Sequence, residues 1–251
     1  MENGEQKIAQ LRQEMRGLVN EADLAQARTV YYGLEHSAAR TQLHVERDER
    51  GEAVGFVAAC ITGMNPFQPV VVLHAPDDGV ANGLLDGGLA AGPPYLFMVD
   101  ARWSPLLEAR LGSTAHFSRI FVLEPGRLQP VVNVFVRTST GPDGAPRATI
   151  QAQGRTVAQA GVNWLGSRYA ELYVTLEPGA RGREWGRSVL SAVAQALQKK
   201  GVRPLLYVPQ AAGSDAQELA DAAAKLGFTD SGRMAMQIAG VLTPPDSGSA
   251  T

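Results

Sequence analysis

A mixed α/β fold, with a mixed sheet of the α+β type built from two copies of one lobe, is what the sequence predicts. Three observations carry that expectation. Short apolar or alternating runs bounded by turn residues recur along the chain and read as strands. Amphipathic stretches with helical spacing fall between them. The order strands, helix, strand, helix, strand then occurs twice, on either side of Glu124-Pro125-Gly126, with little identity between the halves. The expected division is a lobe at 1–126, a second lobe at 127–242, and a small, polar, disordered tail at 243–251. A single sheet running through both halves is the alternative.

Taken in order, Ile8, Leu11, Met15 and Leu18 give one buried stripe to a helix at 5–19, and a second helix is expected at 21–34. Strands follow at 41–47 and 53–61 around Asp48-Glu49-Arg50-Gly51, and at 69–74. Asp77-Asp78 starts a helix at 80–89; a strand at 95–99, a helix at 104–111 capped by Ser104, and a strand at 117–123 end the first half. The second half predicts strands at 131–138, 148–152, 156–164 and 170–176, and a helix at 185–199 closed by Gly201. A strand at 205–208, a helix at 214–226 with the capping box Ser214…Gln217, and a strand at 234–241 complete the reading.

Composition narrows the function. The 251 residues are 45% hydrophobic and 19% charged, with a net charge of −2, so a core is affordable and neither nucleic acid nor a membrane is an expected partner. One cysteine and four histidines without ligand spacing predict no disulfide and no metal. Cys60, in an apolar run, reads as a small buried hydrophobe, and His36, His44, His74 and His116 as structural or surface residues. The acidic, polar start is unlike a signal peptide, which points to the cytoplasm. Phosphate loops, dinucleotide fingerprints, paired metalloprotease histidines and nucleophile elbows do not occur.

The informative segment runs from 170 to 188. A strand ends at Leu176, a Pro178-Gly179 turn follows, and a helix with the stripe Trp185, Val189, Val193 and Leu197 begins near Glu184. Arg181, Arg183 and Arg187 surround its start, where the helix dipole disfavours cations by a few tenths of a kcal/mol each (roughly) and where backbone N–H groups are free. An anion such as a pyrophosphate would relieve both. The alternative is a solvated basic turn on an ordinary crossover.

Arg181-Gly182-Arg183-Glu184-Trp185-Gly186 resembles the Arg/Gln-x-x-Gly-x-Gly/Ala coenzyme A loop of the GNAT acetyltransferases, and Leu226-Gly227-Phe228 is similar to that family's usual ending of its last helix. The resemblance covers about 148–241 and implies tandem GNAT-like lobes, the first degenerate. It implies acetyl-CoA as co-substrate and a primary amine, of a small molecule or of a protein or peptide, as acceptor. Implied contacts to coenzyme A are Val174, Leu176, Arg181, Gly182, Arg183, Glu184, Trp185, Gly186, Arg187 and Ser188. It also implies Glu171 as general base and the Val174 N–H as polariser of the thioester carbonyl; a salt-bridged Glu at a strand end is the other reading of Glu171. Two departures stand out. Glu184 replaces the motif's first Gly, and Ala216 and Ala223 occupy positions where the family often has Asn and the Tyr that protonates the leaving thiolate. Tyr207 is the nearest substitute acid. Those departures keep open a catalytically silent acyl-CoA-binding or scaffold module, and an unrelated nucleotide-binding protein is a third reading. In the first lobe the equivalent turn carries Asp77 and Asp78, which would cap their own helix and repel a phosphate.

Overall fold

The computed structural model describes residues 2–211 and 214–243, without the side chains of residues 2, 3 and 214. It begins with helices α1 (Glu2–Met15) and α2 (Ala27–Val30), strands β1 (Thr41–Arg47), β2 (Ala53–Cys60) and β3 (Val70–His74), helix α3 (Asp78–Gly88), strand β4 (Pro94–Asp100) and helix α4 (Ser104–Leu111). Strands β5 (His116–Leu123), β6 (Arg137–Thr140), β7 (Pro146–Ala152), β8 (Arg155–Leu165) and β9 (Tyr169–Leu176) follow. Helix α5 (Trp185–Lys199), strand β10 (Arg203–Pro209), helix α6 (Ser214–Lys225) and strand β11 (Phe228–Val241) complete the chain.

Two compact units result: Met1–Phe117 with Met234–Thr251, and Ser118–Arg233. In the first, β1, β2 and β3 form an antiparallel meander, β4 is parallel to β3, and the second half of β11 is antiparallel to β4, with Met236 opposite Val99. In the second, β6 to β9 form the meander, β10 is parallel to β9, and β5 is antiparallel to β10. The duplicated grammar is therefore present, but each unit closes with a strand from the other half of the chain. The break falls after Phe117 instead of at 126, and 234–241 join the first unit because their backbone pairs with β4. From residue 244 onward the expected tail lies outside the described residues.

Each unit has its own core. In the second, Val189, Val193 and Leu197 of α5 pack on Ala170 and Leu172 of β9 and on Leu206 and Val208 of β10. Three of the four residues of the stripe read from the sequence are buried, and Trp185 at its start is half-buried. In the first, Leu84 and Leu85 of α3 and Leu107 of α4 pack on Phe97 and Val99. Met15 and Leu34 cover Phe56.

Local departures have local causes. Of the strand expected at 131–138, only residues 137 and 138 are in one, at the start of β6, and residues 131–136 form none. The Val131 N–H donates to Ser191 Oγ on α5 (3.3 Å), and Val131, Val134 and Val136 pack against the core, so backbone bonding is diverted to a helix side chain. The helix expected at 21–34 is broken into a 3-10 turn (Leu24–Gln26), α2, and a π turn (Tyr31–Glu35). Ser104 is the first residue of α4 and caps nothing; Asp100 instead accepts from the Arg102 N–H one turn earlier (2.9 Å). The Ser214 half of the expected capping box lies outside the described side chains, and Gln217 donates to Asp221 (2.7 Å).

Two first-unit histidines give this fold a pH dependence. His36 is 9% exposed and its Nδ1 lies 3.0 Å from Thr41 Oγ1, whose proton goes to the Ser37 carbonyl. Burial, then Arg12 and Arg40, holds its pKa below the ordinary 6.5. His74 stacks on Phe56, and burial followed by Arg102 lowers it too. A depressed histidine pKa means the unfolded chain binds the proton first. Stability is therefore complete above about pH 6.5 and is lost as pH falls through the folded values, by at most about 1.4 kcal/mol per pH unit for each group. Thermal midpoints should fall between pH 7.5 and 5.5, and the paired variant His36→Gln/His74→Gln should flatten that fall. Cys60 is fully buried, donates to the Tyr32 carbonyl (3.3 Å), and burial pushes its thiol up to about 11, so it is inert.

Candidate active site

The site lies in the second unit, where β9 ends and α5 begins. A Pro178–Ala180 turn leads into Gly182 (φ +74°) and Glu184 (φ +60°), both left-handed, before the helix starts at Trp185. The first intrahelical bond of α5 runs from the Ser188 N–H to the Glu184 carbonyl (3.1 Å). The N–H groups of Trp185, Gly186 and Arg187 consequently have no intrahelical acceptor, and Glu184 makes no side-chain cap. Gly186 lies flat on the strand end: a Cβ there would sit 3.2 Å from Leu176 Cδ1.

Around this opening is a cleft of about 540 Å³ lined by Val174 and Leu176 from β9, by Arg181, Gly182, Glu184, Trp185, Gly186 and Arg187, and by α6 through Asp215, Glu218, Asp221 and Lys225. That volume is in the range of small-molecule sites. Most of the expected contacts are thus brought together. Two are not. Ser188 is 1% exposed and its hydroxyl donates to Asn133 Oδ1 (2.6 Å), holding the 131–136 segment on α5. Arg183 lies over the Trp185 ring (5.0 Å) and outside the lining. The acidic face of α6 was missed, although Asp215, Glu218, Ala222 and Lys225 repeat at helical spacing beside the buried stripe. Ala223 is fully buried in the core, so that position would not present a side chain to the cleft.

The left-handed backbone explains why the motif favours Gly at position 184. A side chain there costs of order 1 kcal/mol. Glu184→Gly should raise the thermal midpoint by about 2 °C, and should tighten coenzyme A binding by removing a carboxylate from the cleft, read by calorimetric titration.

Beyond the cleft the strands part. The β9–β10 ladder pairs Arg203 with Tyr169 and Leu205 with Glu171, and stops there. The Glu177 N–H donates to Val157 on β8 (3.0 Å), so by alternation the Val174 N–H turns away from β8 toward this gap. Ala170 and Leu172 face α5, which puts Glu171 and Tyr173 on the opposite face. Tyr207 shares that face, because Leu206 and Val208 face the helices. Glu171 and Tyr207 therefore do not line the cleft; they stand on β9 and β10, behind it, on the two strands that part.

Glu171 is 6% exposed, and both its oxygens are used: Oε1 accepts from Asn163 Nδ2 (2.8 Å) and Oε2 from Trp164 Nε1 (2.7 Å). Asn163 is the extra residue of a β-bulge opposite it. These two donors hold the carboxylate against the bulge. Tyr173, which sequence reasoning did not single out as functional, lies across Gly161, where a Cβ would meet its ring at 2.8–2.9 Å.

The first unit repeats the geometry without the opening. Its parallel ladder also stops early, after Val71 opposite Phe97. Asp77, however, caps α3 through the Val80 N–H (2.9 Å).

No protein-family model matches the chain, and no curated protein does. Solved structures do. A GCN5-related N-acetyltransferase-like protein from Streptococcus suis is 14% identical, with a TM-score of 0.59 over 93% of this chain and 99% of that one. A GCN5-related N-acetyltransferase from Kribbella flavida is 14% identical, with a TM-score of 0.60 over 89% and 97%. A tandem GNAT protein from the clavulanic acid biosynthesis pathway is 13% identical, with a TM-score of 0.59 over 97% of each chain. The chain has the two-lobed fold of the GNAT acetyltransferases. Among the described residues no helix is long and apolar enough to cross a membrane, and no three His, Cys, Asp or Glu side chains cluster as a metal site.

Proposed function

We propose that the protein is an N-acyltransferase that takes an acetyl group from acetyl-CoA and passes it to a primary amine. The observation that supports this most is the open start of α5. Three backbone N–H groups without intrahelical acceptors lie in a cleft that Arg181 and Arg187 also line. These donors match a pyrophosphate. Gly182 and Gly186 keep side chains out of the way, and Val174 and Leu176 offer an apolar wall to the pantetheine arm. When bound, acetyl-CoA supplies the activated acyl group as a thioester. The Val174 N–H, aimed into the gap between β9 and β10, donates to the acyl oxygen as charge builds there. Glu171 takes the proton of the attacking amine, through water given its burial, and Tyr207 across the gap is the candidate proton donor to the departing sulfur.

A thiol-release assay with acetyl-CoA over a panel of amines tests this reading. Binding without release would favour the acyl-CoA-binding module. Because Asp77 occupies the first unit's helix start, calorimetric titration should return one coenzyme A per chain; two sites would show that the capped turn still binds.

A further inference from the structure

We infer that the cleft is neutralised by its own carboxylates and that Asp215 sets its affinity for the anionic co-substrate; this rests on the coenzyme A reading above. Arg181 Nη1 and Nη2 donate to Asp215 Oδ1 (2.9 Å) and Oδ2 (3.2 Å), fork to fork. Arg187 Nη2 donates to Glu184 Oε2 (3.0 Å). Both arginines that line the cleft are therefore already held by carboxylates. Arg181 belongs to the loop after β9 and Asp215 to the first turn of α6, so their pair joins two walls of the cleft. The lining as a whole carries four carboxylates (Glu184, Asp215, Glu218, Asp221) against Arg181, Arg187 and Lys225.

A diphosphate that engages Arg181 must displace Asp215 from it and then sit beside that carboxylate. Binding is an exchange of one anion for another. The side chains of Arg181 and Asp215 are 52% and 67% exposed, so the pair adds little to folding and opens readily. Its effect falls on affinity and on the salt dependence of affinity. Replacing Asp215 with Asn keeps the shape and a helix-start polar group while removing the competing charge.

The experiment is calorimetric titration of coenzyme A into the full chain and into Asp215→Asn, Asp215→Ser and Arg181→Gln, at low and at moderate salt. Both Asp215 variants should bind roughly two- to tenfold more tightly at low salt. Their affinity should also fall more steeply with salt, because one more ion pair is formed on binding. Arg181→Gln should bind more weakly. Equal or weaker binding by both Asp215 variants, while the unaltered protein binds coenzyme A, would overturn the exchange and leave the coenzyme A reading intact. No binding by any of the four proteins would overturn both.

Discussion

Reversing the charge at Arg181 and Arg187 together is expected to abolish thermal stabilisation by acetyl-CoA. A ligand at 100 times its Kd stabilises the folded state by about 2.7 kcal/mol, which for a chain of this size is a shift of about 5–10 °C. Arg181 and Arg187 line the cleft, and Arg187 also carries the buried, unpartnered Nε. Carboxylates at both positions would face a pyrophosphate with repulsion in place of attraction. Arg183→Glu is the contrasting variant. Its guanidinium lies over Trp185 and outside the lining, so most of the shift should survive. A double variant that still gains the full shift would place the cofactor elsewhere.

Replacing Glu171 with Gln should lower turnover by roughly 100-fold while the coenzyme A dissociation constant holds. The side chain stands on the face of β9 opposite α5 and is not part of the cleft lining, which is why binding is spared. Stability will also fall. Asn163 Nδ2 and Trp164 Nε1 are both donors, and an amide can offer its oxygen to only one of them, leaving two donors face to face at a cost of about 1–3 kcal/mol. Turnover is therefore to be read well below the lowered midpoint. Asn163→Ala, which removes one donor to Glu171 and leaves the carboxylate in place, separates the two effects: it should cost stability but far less turnover. Near-normal turnover by Glu171→Gln would make the residue a clamp on the bulge, with Glu177 the next carboxylate to replace.

What was legible in the sequence was what local patterning encodes. Val189, Val193 and Leu197 of the expected stripe bury as read, because one helix face against one sheet needs no more than period and polarity, while Trp185 at the helix start stays half-buried on the cleft. The self-capping of Asp77 was legible for the same reason: a cap is a bond to a residue three positions away. Contacts set by distant residues were not. Val131–Val136 has every strand propensity and forms none, since Ser191 on α5 takes the N–H that a neighbouring strand would have used. Ser188 looked like a loop hydroxyl beside a phosphate, yet Asn133, far away in sequence, turns it inward. Arg181 looked free until the first turn of α6 supplied Asp215. The partners of Glu171 depend on a bulge in β8 that no propensity marks.

The exchange of last strands bears on how the chain comes off the ribosome. Synthesis is vectorial, and β4, with the apolar run Tyr95-Leu96-Phe97-Met98-Val99, is complete long before Met234–Val241 exists to lie beside it. Until then the nascent first lobe carries an open, aggregation-prone edge, while β5, already made, awaits β10. A stop codon near 126 would fix that exposure permanently, and the remaining fragment would lack β5. Each lobe thus draws a strand from the other half of the chain, and the first becomes whole only with the last strand made.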